Sequence, residues 1–72
     1  MKYTQFSSMP TKGKIKWIQE KLIKLNYLNP DDSVLCKRDK GYIKALQKFQ
    51  SAYGMVPNAD ITEELFDKLN YN

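Results

Sequence analysis

Residues 15–30 read IKWIQEKLIKLNYLNP, and this stretch decides the fold. Ile15, Ile18, Leu22 and Leu25 follow at steps of three, four and three, the spacing that puts apolar side chains on one helical stripe. Lys14, Lys16, Glu20, Lys21 and Lys24 fill the other positions. Asn26 comes just after the last stripe residue, where a helix ends on a left-handed residue and Asn substitutes for Gly. Pro30 then blocks any continuation. Upstream the pattern starts at Thr11, with Thr11 or Gly13 as its cap. Trp17 points roughly 120° away from the stripe, by the helical step of about 100° per residue. It is expected to shield the core together with Phe6 and Met9.

Downstream, residues 29–41 (NPDDSVLCKRDKG) form a polar loop, with Val34, Leu35 and Cys36 expected to tuck back over the core. Asp39 is placed to cap a second helix from about Lys40 to Tyr53. Tyr42, Ile43, Leu46, Phe49 and Tyr53 share its apolar side, while Lys44, Gln47, Lys48 and Ser51 lie opposite. Gly54 stops it. The turn-rich MVPNADI link carries Met55 and Ile61 as inward anchors. Thr62 caps a third helix whose first turn holds Glu63 and Glu64, favourable toward the helix dipole, and whose buried side is Leu65, Phe66 and Leu69. No stretch reads as a strand. The expectation is an all-α fold, a small three-helix bundle with no sheet, made by residues 11–72 as one domain behind a flexible arm at 1–10.

The bulk properties bound the function. A 72-residue chain makes one domain and buries only about 60% of its unfolded surface. Twelve basic against eight acidic residues give +4, unevenly spread. Residues 1–48 hold eleven Lys/Arg and four Asp/Glu, a net +7, whereas residues 49–72 hold one and four, a net −3. A basic face built on the first helix and its loop favours partners bearing phosphates or carboxylates, with an attraction that weakens in salt. The single Cys36 excludes an internal disulfide, and with no second Cys and no His in the chain a cysteine-based zinc site is excluded. Asp31-Asp32-Ser33 lacks the alternating acids and central Gly of a calcium loop. Hence no metal and no cofactor is expected. No apolar run approaches the roughly 18 residues of a membrane span, so no membrane insertion is expected. The opening MKYTQFSSMPTKG has no apolar segment of the kind a signal peptide needs.

Read together, several pieces resemble the peptidoglycan-binding domain family. Leu25-Asn26-Tyr27-Leu28 is similar to the family's Leu-Gly-Tyr-Leu helix ending, with Gln19 at its Leu-Gln pair. Ala45-Leu46-Gln47-Lys48-Phe49-Gln50 is similar to Ala-Val-x-x-Phe-Gln, and Gly54-Met55 to Gly-Leu. NADITEELFDKL resembles the closing segment, with Ile61, Thr62 and Leu69 in matching slots. The resemblance runs over about residues 15–69, in the right order. It implies a three-helix fold that binds bacterial peptidoglycan without cutting it and so anchors an attached or co-assembled protein. The expected location is then the cell envelope, the exterior or a phage particle, reached through a larger parent protein or assembly. The departures are local. SVLCKRDKG replaces the family's Asp-Gly-x-Phe-Gly loop, Tyr42 replaces a Thr, Ala59 a Gly and Leu65 a Thr.

A glycan surface needs aromatic faces for sugar C–H groups, amides for hydroxyls, and cations for stem-peptide carboxylates. Near the loops the available set is Tyr27, Arg38, Lys40, Tyr42, Gln47, Gln50, Tyr53 and Asn58. Each has a plainer reading. Tyr42 and Tyr53 sit on the apolar stripe as core residues, Gln50 ties down a loop backbone, and Arg38 and Lys40 are solvated charge. Catalysis lacks its parts: Asp31-Asp32 and Glu63-Glu64 are adjacent surface pairs, not carboxyls facing across a cleft, and no His is present to act as base. Two other binding classes remain. A protein–protein adaptor with the same fold fits the rewritten loop. A small DNA-binding domain fits the basic first half, but its groove-reading third helix carries Glu63, Glu64 and Asp67, the wrong sign for phosphates, so nucleic acid is not the expected partner.

Overall fold

The computed structural model describes residues 1–71; Asn72, the last residue of the expected domain, lies outside the described residues. Among the described residues four α-helices follow one another: α1 (Tyr3–Ser7), α2 (Thr11–Lys24), α3 (Lys40–Ala52) and α4 (Glu63–Tyr71), with a single 3-10 turn at Pro30–Asp32. No strand occurs among the described residues. The fold is a small all-α bundle. No helix among them is long and apolar enough to cross a membrane.

The helix ends follow from the stop signals. Asn26 adopts φ 66°, and the Tyr27 and Asn26 amides donate to Leu22 O and Ile23 O at 2.8 and 3.0 Å. Gly54 at φ 72° repeats the arrangement, with Met55 N and Gly54 N donating to Gln50 O and Ser51 O at 2.8 and 3.2 Å. Both are the paired closing bonds of a left-handed helix terminus. The expected caps at Asp39 and Thr62 are in place: their side-chain oxygens accept from Tyr42 N at 3.0 Å and Leu65 N at 3.2 Å. The start of α2 differs from expectation. Pro10 holds the cap position without a side-chain bond, and Thr11 is already helical.

Residues 1–10, expected as a flexible arm, contain α1. Phe6 is 1% exposed, and its ring packs 4.9 Å from Phe66 and 5.2 Å from Trp17. Trp17 in turn stacks on Phe66 at 5.1 Å, with the Lys21 ammonium over its ring. The aromatic cluster repays the ordering of a segment too short to hold a helix by itself. A further bond, Asn70 Nδ2 to Met1 O at 3.0 Å, ties the first residue to the last helix. Beneath the cluster, Ile18, Leu22, Leu46, Phe49, Leu65 and Leu69 are wholly buried where α2 meets α3 and α4.

The loop between α2 and α3 corrects another expectation. Val34 and Leu35 do not cover the core; they are 62% and 54% exposed. Cys36 is half-buried, at φ 66°. Gln19, 1% exposed on the inner side of α2, explains the inversion. Its Nε2 donates to Ser33 Oγ, Val34 O and Lys37 O at 2.9, 2.9 and 3.1 Å, and its Oε1 accepts from Cys36 N at 2.8 Å. The loop turns its backbone inward to this amide, which sends Val34 and Leu35 outward.

Candidate functional site: a basic trough around Tyr27

The left-handed turn at Asn26 sets Tyr27 down beside α3, half-buried, with its ring edge-on to Phe49 at 5.4 Å and 83°. Asn29 then caps the 3-10 turn, its Oδ1 accepting from Asp31 N at 3.0 Å. That turn lies directly against the start of α3, because Gly41 has no side chain to hold it off: a Cβ there would fall onto the Asp32 carbonyl, 2.8 Å from its carbon. The space left between these elements is a groove of about 310 Å³ lined by Tyr27, Leu28, Asn29, Asp32, Lys40, Gly41, Lys44, Ala45 and Lys48. On its other side Tyr27, Leu28, Asn29 and Asp32 also line a second depression, of about 520 Å³, reaching Asn26 and Pro30. These four shared residues wall both depressions, which together are the trough at Tyr27. Three lysines against one aspartate give the groove a net charge of +2.

Of the expected site residues, the trough brings together only Tyr27 and Lys40. Tyr42 is 0% exposed and offers a ligand no surface. Its hydroxyl is buried with no hydrogen-bond partner among the described residues, and burial pushes it up to about 12, against the opposing pull of the Arg38 charge. Gln50 is 1% exposed and serves the α3–α4 link: Oε1 accepts from Ala59 N at 2.8 Å, and Nε2 donates to Asn58 Oδ1 and Asp60 O at 3.3 and 3.4 Å. Asn58 is taken up in the same turn, Oδ1 also accepting from Asp60 N at 2.9 Å. Arg38 Nη1 donates to Ala59 O at 3.3 Å, joining the two loops. Gln47 is half-buried outside the groove lining. Tyr53 stacks on Phe49 at 4.3 Å and lines a different depression.

That other depression, of about 750 Å³, is lined by Tyr53, Glu63, Glu64, Asp67, Lys68 and Tyr71. Its three acids against one lysine make it repel the anionic ligands toward which the chain's overall charge leans. The trough at Tyr27 is the site whose chemistry matches the basic half of the molecule.

Lys44, Lys48 and Asn29 were missed by sequence reasoning. The signal was present as Lys40, Lys44 and Lys48 at steps of four, which align on one helix flank. Gln19 was legible as part of a helix but not as a lock on a loop seventeen residues away.

Replacing Tyr42 by Phe should raise stability by about 1 kcal/mol, since it removes a hydroxyl buried without a partner. The pH dependence checks the cause. The tyrosine is neutral in the fold up to about 12 but titrates at 10.0 when unfolded, so stability holds below pH 10 and falls as pH rises through the folded value. In urea titrations Tyr42→Phe should lose less stability than wild type between those two pH values. A destabilised Phe variant would mean that the hydroxyl has a partner after all.

The chain matches no family model, and comparison with curated proteins and with solved structures finds no match.

Proposed function

We propose that this chain is a non-catalytic domain that binds bacterial peptidoglycan and holds an attached or co-assembled protein at the cell wall. The observation that supports it most is the trough: a half-buried tyrosine beside an asparagine amide and a row of lysines. A tyrosine ring packs against sugar C–H groups, an amide pairs with acetamido groups and hydroxyls, and ammonium groups meet carboxylates. The resemblance of residues 15–69 to the peptidoglycan-binding family points the same way. A shallow site that must order a flexible strand binds weakly, so the domain works by raising the local concentration of what it carries.

Sedimentation with purified sacculi tests this. Tyr27→Ala and Lys44→Gln should each lower retention about fivefold, equivalent to about 1 kcal/mol, with helical circular dichroism unchanged. Arg38→Ala, outside the trough, should retain binding. Undiminished retention in both trough variants would remove the site, and no sedimentation of wild type would remove the function.

The adaptor reading draws on the acidic depression of α4 with its two tyrosines. It predicts that Glu63→Lys with Glu64→Lys abolishes capture of a basic partner and leaves sacculus binding alone.

A further inference from the structure

Lys40, Lys44 and Lys48 stand on one flank of α3, and all three line the groove. Four residues of α-helix rise about 6 Å, so the three lysines leave the helix as a ladder with about one rung per turn, over about 12 Å of backbone. The trough does not stop at the ladder. Tyr27, Leu28, Asn29 and Asp32 also wall the depression over Asn26 and Pro30. A compact ligand needs neither feature. A linear chain with an anion at every short repeat uses both.

From this geometry we infer that the trough takes a linear phosphodiester polymer of short polyol units, laid along α3 with successive phosphates on Lys40, Lys44 and Lys48 and one polyol against Tyr27. The inference rests on the reading of the trough as the wall-binding site and names a ligand class for it. Phosphates joined by a three-carbon polyol recur at about the spacing of one helical turn. Stem-peptide carboxylates sit on separate short branches, with whole sugar units between one branch and the next, and so do not make a continuous row of equal steps. Single-stranded nucleic acid carries phosphates too, but its binders stack successive bases on successive aromatic rings. This trough holds one aromatic ring, half-buried with an edge to Phe49. Asp32 is the one acid in the trough and opposes any polyanion there.

The test is isothermal titration of the whole chain with purified poly(glycerol phosphate) at several salt concentrations. Three phosphates neutralised on a single strand give a slope of about −2 for log K against log salt, so affinity should fall about 20-fold between 50 and 200 mM. Lys44→Gln and Lys48→Gln, both at exposed positions, should each bring the slope to about −1.4. Asp32→Asn should tighten binding severalfold. A slope near zero, or lysine variants that match wild type, overturns the proposal. So does equal binding of single-stranded DNA with the same number of phosphates, which would make the ladder a generic anion rail. Sacculi stripped of phosphopolymer separate this proposal from the one beneath it. If stripped and intact sacculi bind equally, the phosphodiester assignment fails while wall binding stands. If the free polymer binds and stripped sacculi do not, the assignment holds and the peptidoglycan strand itself is not the ligand.

Discussion

Gly41→Ala should destabilise the domain by about 3 kcal/mol, at the upper end for overpacking a filled site. Helix propensity alone predicts the opposite, a gain of up to about 1 kcal/mol for Ala over Gly inside a helix. The sign is decided by the 3-10 turn, whose Asp32 carbonyl occupies the place of the missing Cβ, with the Asp32 Cβ 3.5 Å from that same place. Backbone, unlike a flexible side-chain tip, has little room to yield. A chain of 72 residues has about 4–11 kcal/mol of stability in all, so the loss is a large share of it. In a thermal melt it corresponds to a fall of roughly 15–20 °C. Gly54→Ala is the informative comparison, because a Cβ there meets nothing within 4 Å and only the positive φ resists it; it should cost about 1 kcal/mol. If Gly41→Ala melts at or above the wild-type temperature, the turn is not seated on α3 as described.

Gln19→Leu should cost about 3 kcal/mol while sparing the helices. Leucine has similar bulk and suits the helix, so packing changes little. What is lost is a side-chain amide that serves Ser33, Val34, Cys36 and Lys37 together. Partly buried backbone groups left without a partner cost about 1–3 kcal/mol each, less where water reaches them. The damage extends along a chain of bonds. The Ser33 hydroxyl donates to Asp39 Oδ1 at 2.8 Å, Val34 N to Asp39 Oδ2 at 2.7 Å, and the same carboxylate caps α3. The Val34 and Tyr42 amides and the Ser33 hydroxyl hold the Asp39 carboxyl below its ordinary value, so the loop's support is present above about pH 4 and fades on acidification. Hydrogen exchange gives the readout: the Cys36 amide should lose protection in the variant while amides inside α2 keep theirs. A protected Cys36 amide with unchanged stability would show that the glutamine is incidental.

Much of the fold was legible because its signals are local. The apolar steps Ile15, Ile18, Leu22, the left-handed Asn26 and Gly54, and the caps Asp39 and Thr62 each act within one or two turns of chain. What stayed hidden depends on distant partners. Helix α1 exists because Phe6, expected to shield the core with Trp17, also finds Phe66 at the far end of the chain. The outward turn of Val34 and Leu35 depends on Gln19. The candidate site is the least legible part, since residue type near a loop does not show which way a side chain faces, and for Tyr42 and Gln50 the plainer readings hold. Tyr42 and Gln50 proved to be interior, one filling the core and the other pinning Ala59 at φ 60°. The groove instead needed the meeting of a helix end, a tight turn and a lysine flank, which no single stretch displays.

The bond from Asn70 to the Met1 carbonyl brings the two ends of the described chain within touching distance. A domain so arranged can be spliced into a surface turn of a host protein without prising that turn apart, and its ends can be joined and reopened elsewhere with little strain. Whatever is fused before Met1 or after the last helix departs from one pole, so cargo on either side would be carried as if on a single stalk.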